Sequence, residues 1–175
     1  MTGSEQSLSR RKVFRAGATL LASSATLAVM EQHSAKSAEI APLPGEGWRA
    51  VLRKIGLPEF ADAFAKDPVL KASVMNRECA GVELIGAFFD ASRQMYDSIA
   101  FKRETVSGAR TYLEWEGKVF GDEVGGVTVL TRDEAGLIQQ VEIFHRPLHV
   151  VARFSKELGN RLAGRLDASL FELPG

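Results

Sequence analysis

Residues 111–146 decide the fold, and they read TYLEWEGKVFGDEVGGVTVLTRDEAGLIQQVEIFHR. Apolar and polar residues alternate here with a period of two, which is the pattern of half-buried β-strands. Counting the segment just before this stretch, four segments show it: residues 99–106, 111–120, 126–131 and 137–146. Short links such as residues 133–136 make neighbouring strands antiparallel. The sequence therefore predicts an antiparallel sheet.

Segments whose apolar residues have helical spacing precede and follow these strands in the sequence. The long helix predicted over residues 81–96 places Leu84, Ile85, Phe88, Phe89 and Met95 on one stripe. A shorter helix is predicted from Trp48, and a final helix follows Pro147. Helices followed by a run of strands indicate an α+β fold. We expect a strongly curved sheet that wraps around the long helix and encloses a cone.

Four segments in this order resemble the nuclear-transport-factor-2-like, or SnoaL-like, family: residues 67–70 (DPVL), 81–96, 126–133 (GVTVLTRD) and 141–148 (VEIFHRPL). The resemblance covers roughly residues 46–165. It implies an apolar conical pocket and frequent homodimerisation through the face of the sheet. Isomerase-type members place a tyrosine and two carboxylates in the cone, and this sequence departs from that set because its first helix has no tyrosine.

Three functions remain open on these grounds. The first is a binding protein that holds a small, mainly apolar molecule in the conical pocket, without a cofactor. The second is a cofactor-free isomerase, dehydratase or cyclase that uses His145 or Glu114 for proton transfer. The third is a structural homodimer whose core is filled.

Strand alternation gives the two proton-transfer candidates different surroundings. The alternation predicts that His145 lies at the end of an apolar row formed by Leu137, Gln139, Val141 and Ile143. A histidine there is either a general acid or base or a packed core histidine. Glu114 points to the face opposite Trp115, and it is either an inward carboxylate or part of a solvated face.

The predicted ligand-binding residues are of two kinds. Trp115, Phe88 and Phe101 form the apolar wall, and in a hollow cone the roles of core and wall overlap. Tyr96, Arg103 and Thr131 are the predicted polar contacts at the mouth of the cone, with Arg103 on the same face as Phe101. His145 and His149 are four residues apart, a spacing that suits metal ligands on a helix, but Pro147 lies between them, so no metal site is predicted.

The N-terminus carries a predicted export signal. Ser9, Arg10, Arg11 and the following Lys12-Val13-Phe14-Arg15 resemble the twin-arginine motif, and a mildly apolar stretch comes next. A small-x-small triplet ends at Ser37 and predicts cleavage there, with Ala38 as the poorer alternative. We therefore expect the twin-arginine export machinery as a partner and a periplasmic or secreted protein.

The predicted organisation is a signal peptide (residues 1–37), a linker (38–46), the domain (47–166) and a C-terminal tail (167–175). The whole chain has 22 basic and 22 acidic residues. Residues 38–175 carry 17 basic and 20 acidic residues, a formal charge of −3. Nucleic acid and anionic membrane usually require a basic face, so neither is expected as a stable partner.

Overall fold

A six-stranded, curved and unclosed sheet forms the body of the domain in a computed structural model, which describes residues 42–171. Its strands are β1 (Phe64–Ala72), β2 (Cys79–Ala80), β3 (Tyr96–Ser107), β4 (Arg110–Val119), β5 (Asp122–Arg132) and β6 (Ile138–Arg146). Across the sheet they run in the order β2-β1-β6-β5-β4-β3. The predicted signal peptide and its cleavage site lie outside the described residues.

Within residues 42–171, three helices accompany the sheet: α1 (Glu46–Leu52), α2 (Val82–Arg93) and α3 (Leu148–Arg161). Two 3₁₀ turns, Pro58–Ala63 and Ala168–Leu170, complete the described chain. The predicted α+β class is confirmed. Across residues 42–171, every helix is too short or too polar to cross a membrane.

One strand pair departs from the expected antiparallel pattern. β1 runs parallel to β6, and Leu70 lies opposite Val141. The alternation of apolar residues does not show whether two strands run parallel or antiparallel. A short hairpin link would show it, but β1 and β6 are separated in the sequence by most of the domain. Just beyond β1, the backbone N–H of Ser73 donates to the carbonyl oxygen of Ile143 at 2.9 Å and extends the pairing.

Two β-bulges change which side chains face the core. On β3, Phe101 lies opposite Trp115 and Arg103 lies opposite Glu114, so Lys102 is an extra residue. A similar shift at Gln139, the extra residue on β6, puts Ile138 fully inside, whereas Leu137 and Gln139 were the predicted inward residues. The predicted inward row is therefore wrong at its start and holds from Val141 to His145.

The inner face of the sheet packs on α2 and α3. Ile85 and Phe88 of α2 and Phe154 and Leu158 of α3 are buried against it. Helical spacing predicted Ile85, Phe88 and Phe89 on this stripe, and all three are buried. It was wrong for Leu84, which is 37% exposed, and Met95 is buried but follows the end of α2.

Helix α1 covers the rim of this core beside β3. The backbone N–H of Gly45, just before α1, donates to a carboxylate oxygen of Glu104 at 2.9 Å. Gly45 has φ +74°, and a Cβ at that position would overlap the ring of Phe101. Glycine therefore lets the start of α1 lie directly on β3, and Trp48 reaches Phe89 with 5.3 Å between ring centroids.

Candidate ligand-binding site

A cavity of about 130 Å³ lies between the inner face of the sheet and the three helices. Its lining is mostly aromatic and aliphatic: Trp48, Leu52, Ile55, Phe88, Phe89, Ser92, Arg93, Tyr96, Ile99, Phe101, Trp115, Thr128, Ile143, His145 and Phe154. An apolar cavity of this order holds one aromatic ring. The curved sheet therefore leaves the hollow that the sequence analysis required.

Two lining residues are exposed to solvent and mark the opening of the cavity. Arg93 ends α2, and Ile99 on β3 is 45% exposed. The guanidinium of Arg93 donates to the Asp90 carboxylate at 2.7 Å. A molecule that enters between these residues passes one paired charge and then meets apolar walls.

The polar groups at the inner end of the cavity are connected in a line. The Tyr96 hydroxyl lies 3.1 Å from Nε2 of His145, and Nδ1 of the same ring lies 3.1 Å from Oγ of Ser73. The backbone N–H of His145 donates to the same Ser73 oxygen at 2.9 Å. Ser73 is exposed, whereas Tyr96 and His145 are half-buried and line the cavity. The line therefore joins the cavity to the protein surface.

Aromatic rings enclose the His145 and Tyr96 pair. Trp115 stands at 74° to the His145 ring, with centroids 5.2 Å apart. Phe154 lies 5.7 Å from His145 and 5.4 Å from Tyr96. Because these walls remove water, burial lowers the pKa of His145 to about 4 and raises the pKa of the Tyr96 phenol. Both side chains are therefore neutral at pH 7.

Trp115 forms the floor of the cavity beside a glycine. It is 2% exposed, and within residues 42–171 its indole Nε1–H has no hydrogen-bond partner. Gly126 lies opposite it on β5, and a Cβ at that position would be 2.6 Å from Cζ2 of the indole. The glycine therefore makes room for the indole ring.

The structure brings together five of the eight predicted site residues. Trp115, Phe88, Phe101, Tyr96 and His145 all line the cavity. Tyr96 begins β3 rather than ending α2, and this places its ring between Trp115 and Phe154. The roles assigned to these residues stay predictions.

The other three predicted residues lie elsewhere. Arg103 does not share a face with Phe101, because the bulge at Lys102 turns it to the outer face of the sheet. There its guanidinium donates to the Glu114 carboxylate at 3.2 Å, and both groups are exposed. Of the two predicted placements of Glu114, an inward carboxylate or part of a solvated face, the structure shows the solvated face. Thr131 also points away from the cavity; its hydroxyl is buried and, within the described residues, has no hydrogen-bond partner.

Sequence reasoning missed several residues of the site. Arg93 follows Phe89 by four residues, a helical spacing that signals a shared face. Thr128 alternates with Gly126 along β5, so the correct choice of face would have found it. Ser73 had no local signal, because it meets His145 through the parallel pairing of strands 72 residues apart.

A metal is not suggested by the arrangement of ligating side chains. Within the part of the chain that the structure describes, no three His, Cys, Asp or Glu residues are grouped closely enough to hold an ion. The chemistry available at the inner end of the cavity is that of a neutral imidazole and a phenol.

Comparison with solved structures identifies the architecture. A steroid delta-isomerase from Pseudomonas aeruginosa is 22% identical and superposes with a TM-score of 0.61, over 67% of this chain and 88% of the other. The fold is nuclear-transport-factor-2-like. An uncharacterised bacterial protein with a cystatin-like fold from Silicibacter pomeroyi is 21% identical, with a TM-score of 0.58 over 69% of this chain and 91% of the other.

A de novo designed protein with a curved β-sheet shares the same architecture, at 17% identity and a TM-score of 0.50 over 62% of this chain and 91% of the other. No protein-family model and no curated protein matches the chain. At these identities the likeness establishes the fold of the domain, and its function has to be argued from the cavity itself.

Proposed function

We propose that this protein binds a small, mainly apolar molecule of about the size of one substituted aromatic ring in the cavity between α2 and the sheet. The observation that carries the proposal is the combination of mostly apolar walls with a neutral, hydrogen-bonded pair, His145 and Tyr96, at the inner end. Ligand sites commonly pair such walls with a few oriented polar groups. A filled core, which is the structural alternative, would leave no cavity of this size.

The neutral state of the polar pair defines the class of ligand further. The charged lining residue, Arg93, lies at the opening and is paired with Asp90. A carboxylate or an ammonium group carried to the inner end would lose its hydration without meeting an opposite charge there. A neutral oxygen atom of a ligand, by contrast, can form a hydrogen bond with the phenol or the imidazole without losing a charge's hydration. We therefore propose a neutral ligand.

Filling the cavity should weaken binding without unfolding the protein. Thr128 is 4% exposed and lines the cavity, so Thr128→Leu places extra aliphatic volume in it. We expect the affinity for toluene and for acetophenone to fall about tenfold or more. The measurement is a titration followed by ¹H–¹⁵N NMR, in which the indole N–H of Trp115 reports from the cavity floor.

Thr131→Leu is the matched control, because Thr131 is on the same strand but faces away from the cavity. It should leave both affinities within about twofold of those of the parent protein. Equal effects of the two substitutions, or the absence of saturable binding in the parent protein, would contradict the proposed site.

We also propose that residues 1–37 direct export of the folded domain through the twin-arginine machinery. Support comes from the order of Arg10-Arg11, the apolar stretch and the small-x-small triplet along the sequence. Replacing Arg10 and Arg11 by lysine together should leave most of the protein uncleaved in the cytoplasm, because a receptor reads this signal. Cell fractionation with mass measurement tests this. Lys12→Gln, at the variable position, should be exported normally.

A further inference from the structure

The Ser73, His145 and Tyr96 line is a hydrogen-bond relay with two possible directions. Because His145 is neutral, one ring nitrogen carries a proton and the other accepts one. In the outward direction, Tyr96 O–H donates to Nε2, Nδ1–H donates to Ser73 Oγ, and the serine proton points to solvent. In the inward direction, Ser73 donates to Nδ1, Nε2–H donates to the Tyr96 oxygen, and the phenol proton is free.

Ser73 can take part in both directions without losing a partner. Its oxygen accepts the backbone N–H of His145 at 2.9 Å in either case. A hydroxyl has a second lone pair and one proton, so it can accept from Nδ1 or donate to it. Ser73 is exposed, and water takes its proton when the relay runs outward. The serine therefore permits reversal at the surface end.

The cavity end decides between the two directions. Without a ligand acceptor, the inward direction points the phenol proton of Tyr96 into a cavity whose walls beside this ring are the aromatic side chains of Trp115 and Phe154. An unpaired buried donor is unfavourable, so the outward direction is the resting state. A ligand oxygen placed beside Tyr96 accepts that proton and removes the penalty.

We propose that binding of a neutral ligand with an oxygen acceptor, such as a ketone or an ether, reverses this relay and converts His145 from its Nδ1–H to its Nε2–H tautomer. This inference rests on the proposed function and adds the chemical class of the ligand. It makes Ser73 a positioning residue, since it acts on the ligand through His145. A ligand without an acceptor would bind the same walls and leave the tautomer unchanged.

The test uses full-length protein labelled with ¹⁵N-histidine at pH 7, with the ring nitrogens of His145 observed by NMR and assigned with a His145→Gln variant. Acetophenone and toluene, which are close in size, are the two probes. We expect Nδ1–H in the free and toluene-bound protein. Saturation with acetophenone should change the ratio of the tautomers in favour of Nε2–H by about tenfold or more.

Two variants separate the relay from a structural role. Tyr96→Phe removes the phenol oxygen, so acetophenone should still bind but leave the tautomer ratio unchanged. Ser73→Ala removes the acceptor of Nδ1–H, so the resting preference for that tautomer should fall several-fold before any ligand is added.

The outcomes distinguish a failure of the relay from a failure of the proposed ligand binding. If acetophenone saturates the cavity and His145 keeps its resting tautomer, or if the free protein already holds Nε2–H, the relay is refuted while binding stands. If neither probe shows saturable binding, the proposed function fails, and ligand-driven reversal fails with it.

Discussion

Acidification from pH 7 to pH 4 is expected to lower the free energy of unfolding by about 3 kcal/mol through His145 alone. Burial holds the pKa of this histidine at about 4 in the folded protein, against 6.5 for an unperturbed side chain. Between these two values the unfolded chain binds a proton that the folded protein does not. The stabilising contribution is therefore complete above pH 6.5 and is lost as the pH falls toward 4.

Urea unfolding at several pH values, followed by the fluorescence of the buried Trp48 and Trp115, measures this contribution. The control is His145→Gln, whose amide can bond to Ser73 and Tyr96 but does not titrate. Carboxylates contribute equally to the pH dependence of the unfolding free energy in both proteins. The difference between the two pH profiles therefore isolates the contribution of the histidine. Parallel profiles would show that His145 is not desolvated as described.

The second large effect is expected from adding one methyl group at Gly126. In Gly126→Ala the new Cβ would lie 2.6 Å from Cζ2 of Trp115 and closer still to the carbonyl oxygen of Phe144. Neither the buried indole nor the strand backbone can move freely, so we expect a loss of about 2 kcal/mol or more in stability. The displaced indole also narrows the cavity, and toluene affinity should fall about tenfold.

Gly125→Ala is the matched control on the neighbouring residue. Its Cβ would lie 3.2 Å from the carbonyl oxygen of Trp115 and 3.3 Å from the end of the Arg146 side chain. These contacts are tight, but each is much longer than the contacts that a Cβ at Gly126 would make. Stability should fall by about 1 kcal/mol or less, and toluene affinity should stay unchanged. Equal losses in the two variants would mean that the strand, rather than the contact with Trp115, requires glycine.

The apolar half of the site follows from sequence periodicity. Phe88 lies on the helical stripe of α2, and Trp115 lies on the alternating pattern of β4, so periodicity alone places both in the cone. His145 is placed there for the same reason, because its distance from Val141 and Ile143 is even. These are local relations, and a helix or strand fixes them within a few residues.

Arg103 and Thr131 show where that reasoning fails. One extra residue, Lys102, turns Arg103 from the cavity to the outer face, where it meets Glu114. Alternation correctly grouped Thr131 with Val127 and Val129, but it does not say which face of a strand is covered. The bulge and the choice of face arise from pairing between strands, which is not encoded in the spacing along one strand.

By itself, the sequence determined the α+β class, most helices and strands, and the aromatic side chains that line the hollow, because these depend on contacts between residues close in the chain. Only the tertiary structure decided the parallel pairing of β1 with β6 and the bulges. That pairing places Ser73 beside His145 across 72 residues. The reason is that hydrogen bonds between distant segments depend on how the sheet curves around its helices, and no local pattern in the sequence specifies that curvature.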